Sequence, residues 1–136
     1  MINNLTGTLS LEKESLQNLL SLLEEQYMLI MKKQLFELED IVGKIKLCNK
    51  DIAEHEVSRR KIVGPKSMKD IVENSNNPHL NSEYKDIKKL IEVVRMQKDT
   101  NELLIRQQIG FNAQILNIIN PRREIKTYNS YGNLSK

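Results

Sequence analysis

The chain has no tryptophan, one cysteine and three prolines in 136 residues, and its only aromatics are Tyr27, Phe36, Tyr84, Phe111, Tyr128 and Tyr131. With so few large rings, a core must be assembled from Leu, Ile, Val and Met, which suits packed helices better than a sheet sandwich. Cys48 alone cannot form an internal disulfide, so no oxidising compartment is needed. The start, Met1-Ile2-Asn3-Asn4-Leu5-Thr6, has neither the basic region nor the long apolar stretch of a signal peptide. The longest apolar run, Tyr27 to Met31, is far short of the roughly 20 residues that cross a bilayer. A cytoplasmic protein is the expectation.

Chemistry-bearing patterns are also scarce. Gly7, Gly43, Gly64, Gly110 and Gly132 stand apart from one another, so no glycine loop cradles a phosphate. His55 and His79 have no partner at metal-ligand spacing. Cys48 falls on an apolar helix seam without a nearby histidine, where a thiol behaves as a small hydrophobe. The acid pairs Glu24-Glu25 and Glu39-Asp40 are adjacent, so on a helix they point in different directions and do not make an acid–base couple. No catalytic residue, no metal and no cofactor is expected, and the chain does not read as an enzyme.

Charge of one sign is missing from the body. Arg122, Arg123, Lys126 and Lys136 against Glu124 account for the whole formal net charge of +3, which leaves residues 1–120 balanced. A nucleic-acid binder needs a basic stripe to neutralise phosphates, and none is visible, so no nucleic acid is expected as partner. Arg59-Arg60-Lys61 suits the negative end of a helix dipole instead.

What the chain has is helical periodicity. From about Ser10 to Ile62 there is no proline and no turn cluster, and apolar residues recur at helical spacing. This predicts one long helix, on the order of 75 Å at about 1.5 Å per residue, capped by Ser10 and stopped by Gly64-Pro65. Its seam is Leu16, Leu20, Leu23, Tyr27, Ile30, Gln34, Leu38, Ile41, Ile45, Cys48, Ile52 and His55. Steps of four and three alternate except at Gln34, where two fours follow each other and produce a stutter. A short helix is predicted after Ser67, burying Met68, Ile71 and Val72, and then a mobile polar loop over Glu73-Asn74-Ser75-Asn76-Asn77-Pro78. The second long helix runs from Asn81 or Ser82 to Asn120, ahead of Pro121, with the seam Ile87, Leu90, Val94, Gln97, Asn101, Leu104, Gln108, Phe111, Ile115 and Ile118.

The predicted fold class is therefore all-α: a long antiparallel, coiled-coil-like hairpin with a short connecting helix (residues 1–120), followed by a flexible basic tail (121–136). Antiparallel pairing places Gln34 near Gln108 and Gly43 near Asn101. Gly43 and Gly110 either let a neighbouring backbone approach closely or are merely tolerated. The second helix is the shorter, so Leu11, Leu16, Leu19, Leu20, Leu22 and Leu23 overhang. Leaving them in water forgoes about 1.5 to 3 kcal/mol per leucine, so the tail folds back, the chain forms a homodimer, or a partner helix binds there. The run Tyr27-Met28-Leu29-Ile30-Met31 is apolar all round its helix, which suits either the centre of a three-helix core or a surface that repacks around partners.

Leu19-Leu20-Ser21-Leu22-Leu23-Glu24-Glu25-Gln26-Tyr27, the stretch Asn101-Glu102-Leu103-Leu104-Ile105 and the tail Thr127-Tyr128-Asn129-Ser130-Tyr131-Gly132 occur in an order that resembles the FlgN family of export chaperones for flagellar hook-associated proteins. The resemblance covers almost the whole chain. It implies a chaperone that holds hook-filament junction subunits by their C-terminal helical segments and delivers them to the flagellar type III export gate, consuming no nucleotide itself. Combined with the leucine overhang, it makes Leu16, Leu20, Leu23, Tyr27, Phe111, Ile115 and Ile119 the expected client-binding residues. By position, Tyr128 is the tyrosine expected to dock on the gate, with Tyr131 as a second tyrosine nearby. A coiled-coil protein that self-associates through the same stripe, or a chaperone for another type III cargo, is the alternative.

Overall fold

The computed structural model describes residues 2–108, which form four helices: α1 (Ile2–Met31), α2 (Leu35–Val63), α3 (Met68–Ser75) and α4 (Pro78–Gln108). Among the described residues there is no strand, and a short helix does sit between long ones. The domain boundary placed at residue 120 and the tail beyond it lie outside the described residues.

The helix read as continuous from Ser10 to Ile62 is in fact two helices folded against each other. The chain reverses at Lys32-Lys33-Gln34 without the help of proline or glycine. Lys33 takes the left-handed conformation, φ 55°, while the amide of Gln34 donates to Leu29 O and that of Lys33 to Ile30 O, both at 3.0 Å. These two bonds are the Schellman helix stop, with lysine in the place usually held by glycine. Gln34, the point where the seam stutters, is therefore an exposed turn residue and not a buried amide.

The other helix ends also moved relative to expectation, each for a local reason. α1 begins at Ile2 rather than Ser10, because Leu5 and Leu9 extend its buried line and are almost wholly covered. Ser10 is not a cap; its hydroxyl donates to Glu83 Oε2 at 3.1 Å. α4 begins at Pro78, with Asn77 Oδ1 accepting from the Leu80 amide at 3.1 Å. Asparagine as N-cap with proline as first helical residue is a favoured start, so most of the supposed loop is capping machinery. Only Asn76 and Asn77 remain between α3 and α4. Ser67 caps α3 through the Asp70 amide at 3.1 Å, and Gly64, at φ 65°, ends α2, as the sequence indicated.

α1 lies between the other two long helices and packs along both, whereas α2 and α4 scarcely meet. α2 runs antiparallel to α1: Cys48 Sγ donates to Ser15 O at 3.2 Å, and Arg59 Nε reaches Glu12 Oε1 at 3.0 Å. α4 runs parallel to α1 and antiparallel to α2. Lys13 Nζ meets Asp86 Oδ2 at 2.9 Å, Asn101 Nδ2 donates to Gln26 Oε1 at 2.9 Å and to Leu23 O at 2.8 Å, and Gln108 Nε2 donates to Met31 Sδ at 3.4 Å. Buried amides do meet across helices, but the pair is Gln26 with Asn101. Gly43, expected beside Asn101, has nothing within 4 Å of where a Cβ would stand.

The core has three parts. At the end where α1 starts, Leu5, Leu9, Leu16, Val63, Ile71, Val72, Leu80 and Ile87 draw together all four helices. The middle is Leu19, Leu23, Ile41, Ile45 and Cys48, and burial pushes the Cys48 thiol above its ordinary range. At the turn end only Ile30, Leu38 and Ile105 are buried together.

Two predictions follow from the polar contacts. Asn101→Ala leaves the Gln26 carbonyl buried without that donor and should cost about 1–3 kcal/mol. A double-mutant cycle with Gln26→Ala should return a coupling of about 0.5–3 kcal/mol, and strict additivity would contradict the contact. Burial raises the Glu12 carboxyl above the usual glutamate range, opposed by the Arg59 guanidinium. The folded chain then keeps a proton that the unfolded chain has released, so the contribution of Glu12 grows as pH falls through that raised value toward the ordinary one. The melting temperature of the natural chain, relative to Glu12→Gln, should therefore rise as the pH is lowered from neutrality toward the ordinary glutamate range.

Candidate functional site

The leucines expected to overhang are covered inside the molecule. Leu16, Leu19 and Leu23 are buried, Leu20, Leu22 and Tyr27 are half-buried, and only Leu11 stands exposed. The reason is the reversal at Lys33, which lays α2 over the part of α1 that a continuous helix would have left bare. Phe111, Ile115, Ile119, Tyr128 and Tyr131 lie outside the described residues.

Exposed apolar surface is found instead at the opposite end. Met28 and Met31 in the last turn of α1 are half exposed, as is Leu35 in the first turn of α2, and Phe36 is 87% exposed. An isolated exposed apolar residue needs no explanation, but four on either side of one three-residue turn form a surface of the kind that marks an interaction site. Beneath it lies the smallest part of the core, so nothing in the fold requires Phe36 to be phenylalanine. Methionines beside it can adapt to the shape of what they meet.

The hydrogen bond from Gln108 to Met31 Sδ brings α4 to the same end, so the chain leaves the described structure beside this surface. Exposed Lys32, Lys33 and Glu37 form its polar border. On α4, exposed Val93, Met96 and Leu103 form a second, thinner apolar line facing away from buried Asn101. The sequence carried a trace of the main surface: Tyr27–Met31 is apolar all round, Phe36 belongs to no seam, and the seam breaks phase at Gln34 between them. Without the reversal those signs do not add up to a place.

Among the described residues no three His, Cys, Asp or Glu side chains gather as metal ligands. Cys48 is buried, and burial pushes its thiol above the ordinary range; His79 is exposed at the start of α4, and the carboxylates Glu12, Glu83 and Asp86 are paired with Arg59 and Lys13. The Lys13 bond holds Asp86 below the usual carboxylate range and lifts Lys13 above the usual lysine range. No described helix is long and apolar enough to cross a membrane.

A family model described as "FlgN protein" matches residues 1–136. No curated protein and no solved structure matches the chain.

Two neighbouring substitutions separate surface from core. Leu38, wholly buried, should cost about 2–5 kcal/mol when replaced by Ala. Phe36→Ser, two residues away, should change stability by less than about 0.5 kcal/mol. Urea midpoints measure both, and a large loss for Phe36→Ser would make that ring part of the fold.

Proposed function

Because the chain belongs to the FlgN family, which are chaperones of flagellar type III export, we propose that it binds the C-terminal helical segments of hook-associated, hook-filament junction proteins in the cytoplasm and delivers them to the export gate. The observation that carries the client-binding part is the exposed apolar surface on either side of the α1–α2 turn, centred on Phe36. An amphipathic client helix recognises such a surface by setting anchors at i, i+3 or i+4, and i+7 into it.

In this reading the client lies on Met28, Met31, Leu35 and Phe36, with half-buried Tyr27 at the edge; Phe111, Ile115 and Ile119, outside the described residues, are further client-binding residues. Leu16 and Leu23 are buried in the core and Leu20 is half-buried, all nearer the start of α1 than this surface, so they are not part of the client face in this reading. The basic tail is a separate device: Tyr128 docks on the gate, since a tyrosine ring buries a large area with few rotatable bonds while its hydroxyl keeps a polar partner. Self-association through the same apolar surface is the competing reading, and the outward line Val93, Met96 and Leu103 is the observation in its favour.

Calorimetry with a peptide of a client's C-terminal helix tests the proposal. Met31→Ser with Phe36→Ser should weaken client binding at least about tenfold, the effect of losing one well-buried apolar anchor, with little change in melting temperature. High salt should leave the affinity nearly unchanged, because exposed charge pairs contribute at most about 1 kcal/mol. Tyr128→Ala should keep client affinity and weaken binding to the isolated gate domain. Unchanged client binding in the double variant, with loss of a dimer in sedimentation, would replace the chaperone surface by a self-association surface.

A further inference from the structure

The turn Lys32-Lys33-Gln34 joins two helices that the sequence would equally allow to be one. Lysine and glutamine are good helix formers, and no glycine or proline lies between Gly7 and Gly43. Leu23 and Ile30 of α1 and Ile41 and Cys48 of α2, all buried, follow one another at steps of seven, eleven and seven residues. Such steps are close to two, three and two turns, so on a continuous helix these four side chains would share one face. In the hairpin that face is folded onto itself about Gln34: Ile30 packs with Leu38, and Glu12 of α1 pairs with Arg59 of α2. Gln34 itself falls on the shared face, yet it is exposed at the turn. The reversal depends on Lys33 at φ 55°, a conformation that costs a residue with a Cβ what it does not cost glycine.

We propose that the chain has a second form, a dimer in which two copies exchange α1. In this form Lys32-Lys33-Gln34 are helical and α1 and α2 run as one helix from Ile2 to Val63, about 90 Å long. α1 of each copy then lies between α2 and α4 of the other. A two-fold axis at Gln34 sets the two long helices antiparallel, as the turn sets α1 against α2, so the contacts of α1 are remade between copies in the same register. Three changes favour the exchange. Lys33 leaves the left-handed region, three more residues enter a helix, and Gln34 meets Gln34 of the second copy across the axis, amide to amide. The exposed Met28, Met31, Leu35 and Phe36 of both copies stand around that junction. Association entropy opposes the exchange, so the monomer prevails in dilute solution and the dimer grows with concentration. A short hinge under strain is the arrangement that invites such swapping. Because α1 has to leave its place between α2 and α4, the two forms interconvert slowly and separate by size. The inference is independent of the client reading.

The test uses the full chain with Cys48→Ser, which retains a donor toward Ser15 O, and with Glu14→Cys and Glu54→Cys carrying nitroxides at two exposed positions. Labelled chain is diluted about tenfold with unlabelled Cys48→Ser chain, so that few dimers hold two labelled copies. The mixture is held at millimolar concentration just below its melting temperature, cooled, and separated by size exclusion. Pulsed dipolar spectroscopy then reads the distance between the two labels of one chain. In the monomer they sit on neighbouring helices whose axes are about 8–10 Å apart, giving a distance under roughly 30 Å. In the exchanged dimer they are separated along a single helix, by about 60 Å. A dimer that keeps the short distance has associated without exchange and overturns the proposal, as does the absence of any dimer at millimolar concentration. Two further variants test the hinge in the natural background. Lys33→Gly suits the turn and weakens the continuous helix, so it should lower the dimerisation constant at least about tenfold; an unchanged constant would remove Lys33 from the switch. Gln34→Leu, exposed in the monomer and on the seam in the dimer, should raise the constant severalfold with the long distance retained. A fall would refute the pairing across the axis.

Discussion

α1 is buried on two sides at once, and the rest of the molecule depends on that. α2 and α4 each pack along it but scarcely along each other, so neither would be held without it. Its buried line, Leu5, Leu9, Glu12, Leu16, Leu19, Leu23, Gln26 and Ile30, alternates steps of four and three over the whole helix, and this spacing keeps one stripe toward its neighbours. Two members of that line are polar. Glu12 is matched by Arg59 of α2 and Gln26 by Asn101 of α4. A one-turn slip of either neighbour would leave a carboxylate or an amide buried without these partners, which costs more than the contact itself contributes. Apolar burial stabilises the assembly; the polar pairs select the register.

The same arrangement decides which apolar side chains of the described residues are covered and which are exposed. At the end where α1 starts, α3 and the beginning of α4 bring Ile71, Val72 and Leu80 over Leu5 and Leu9, and that end is closed. Among the described residues there is no equivalent of α3 at the turn end. Ile30, Leu38 and Ile105 alone are buried together, and Phe36 and its methionine neighbours stand outside them. The short helix thus covers one end of α1, while the exposed apolar side chains of the described residues at the other end surround only a small buried group.

Much of this was legible in the sequence, because helices announce themselves locally. The seams on α2 and α4, the cap at Ser67, the stop at Gly64 and the burial of Ile71 and Val72, with Met68 partly covered, follow from periodicity and capping chemistry, which depend on residues a few positions apart. The resemblance to the FlgN family likewise needed only residue order, and the family match agrees with it. The N-terminal overhang was the main misreading: its apolar pattern was real, but its exposure was deduced from the length of a helix that is not continuous.

What the sequence by itself determined is which faces are apolar, where most helices stop and that the body carries no net charge. What only the tertiary structure decided is which apolar face finds a partner within the chain. That hinged on Lys33, whose left-handed conformation is uncommon for a residue with a side chain. Lysine there carries no sequence signal of its own, since the turn is held by the packing of Ile30 against Leu38 and by two backbone bonds available to any residue. One turn of that kind covers Leu16 and Leu23 and uncovers Phe36, because reversing a helix exchanges which of its ends has a neighbour.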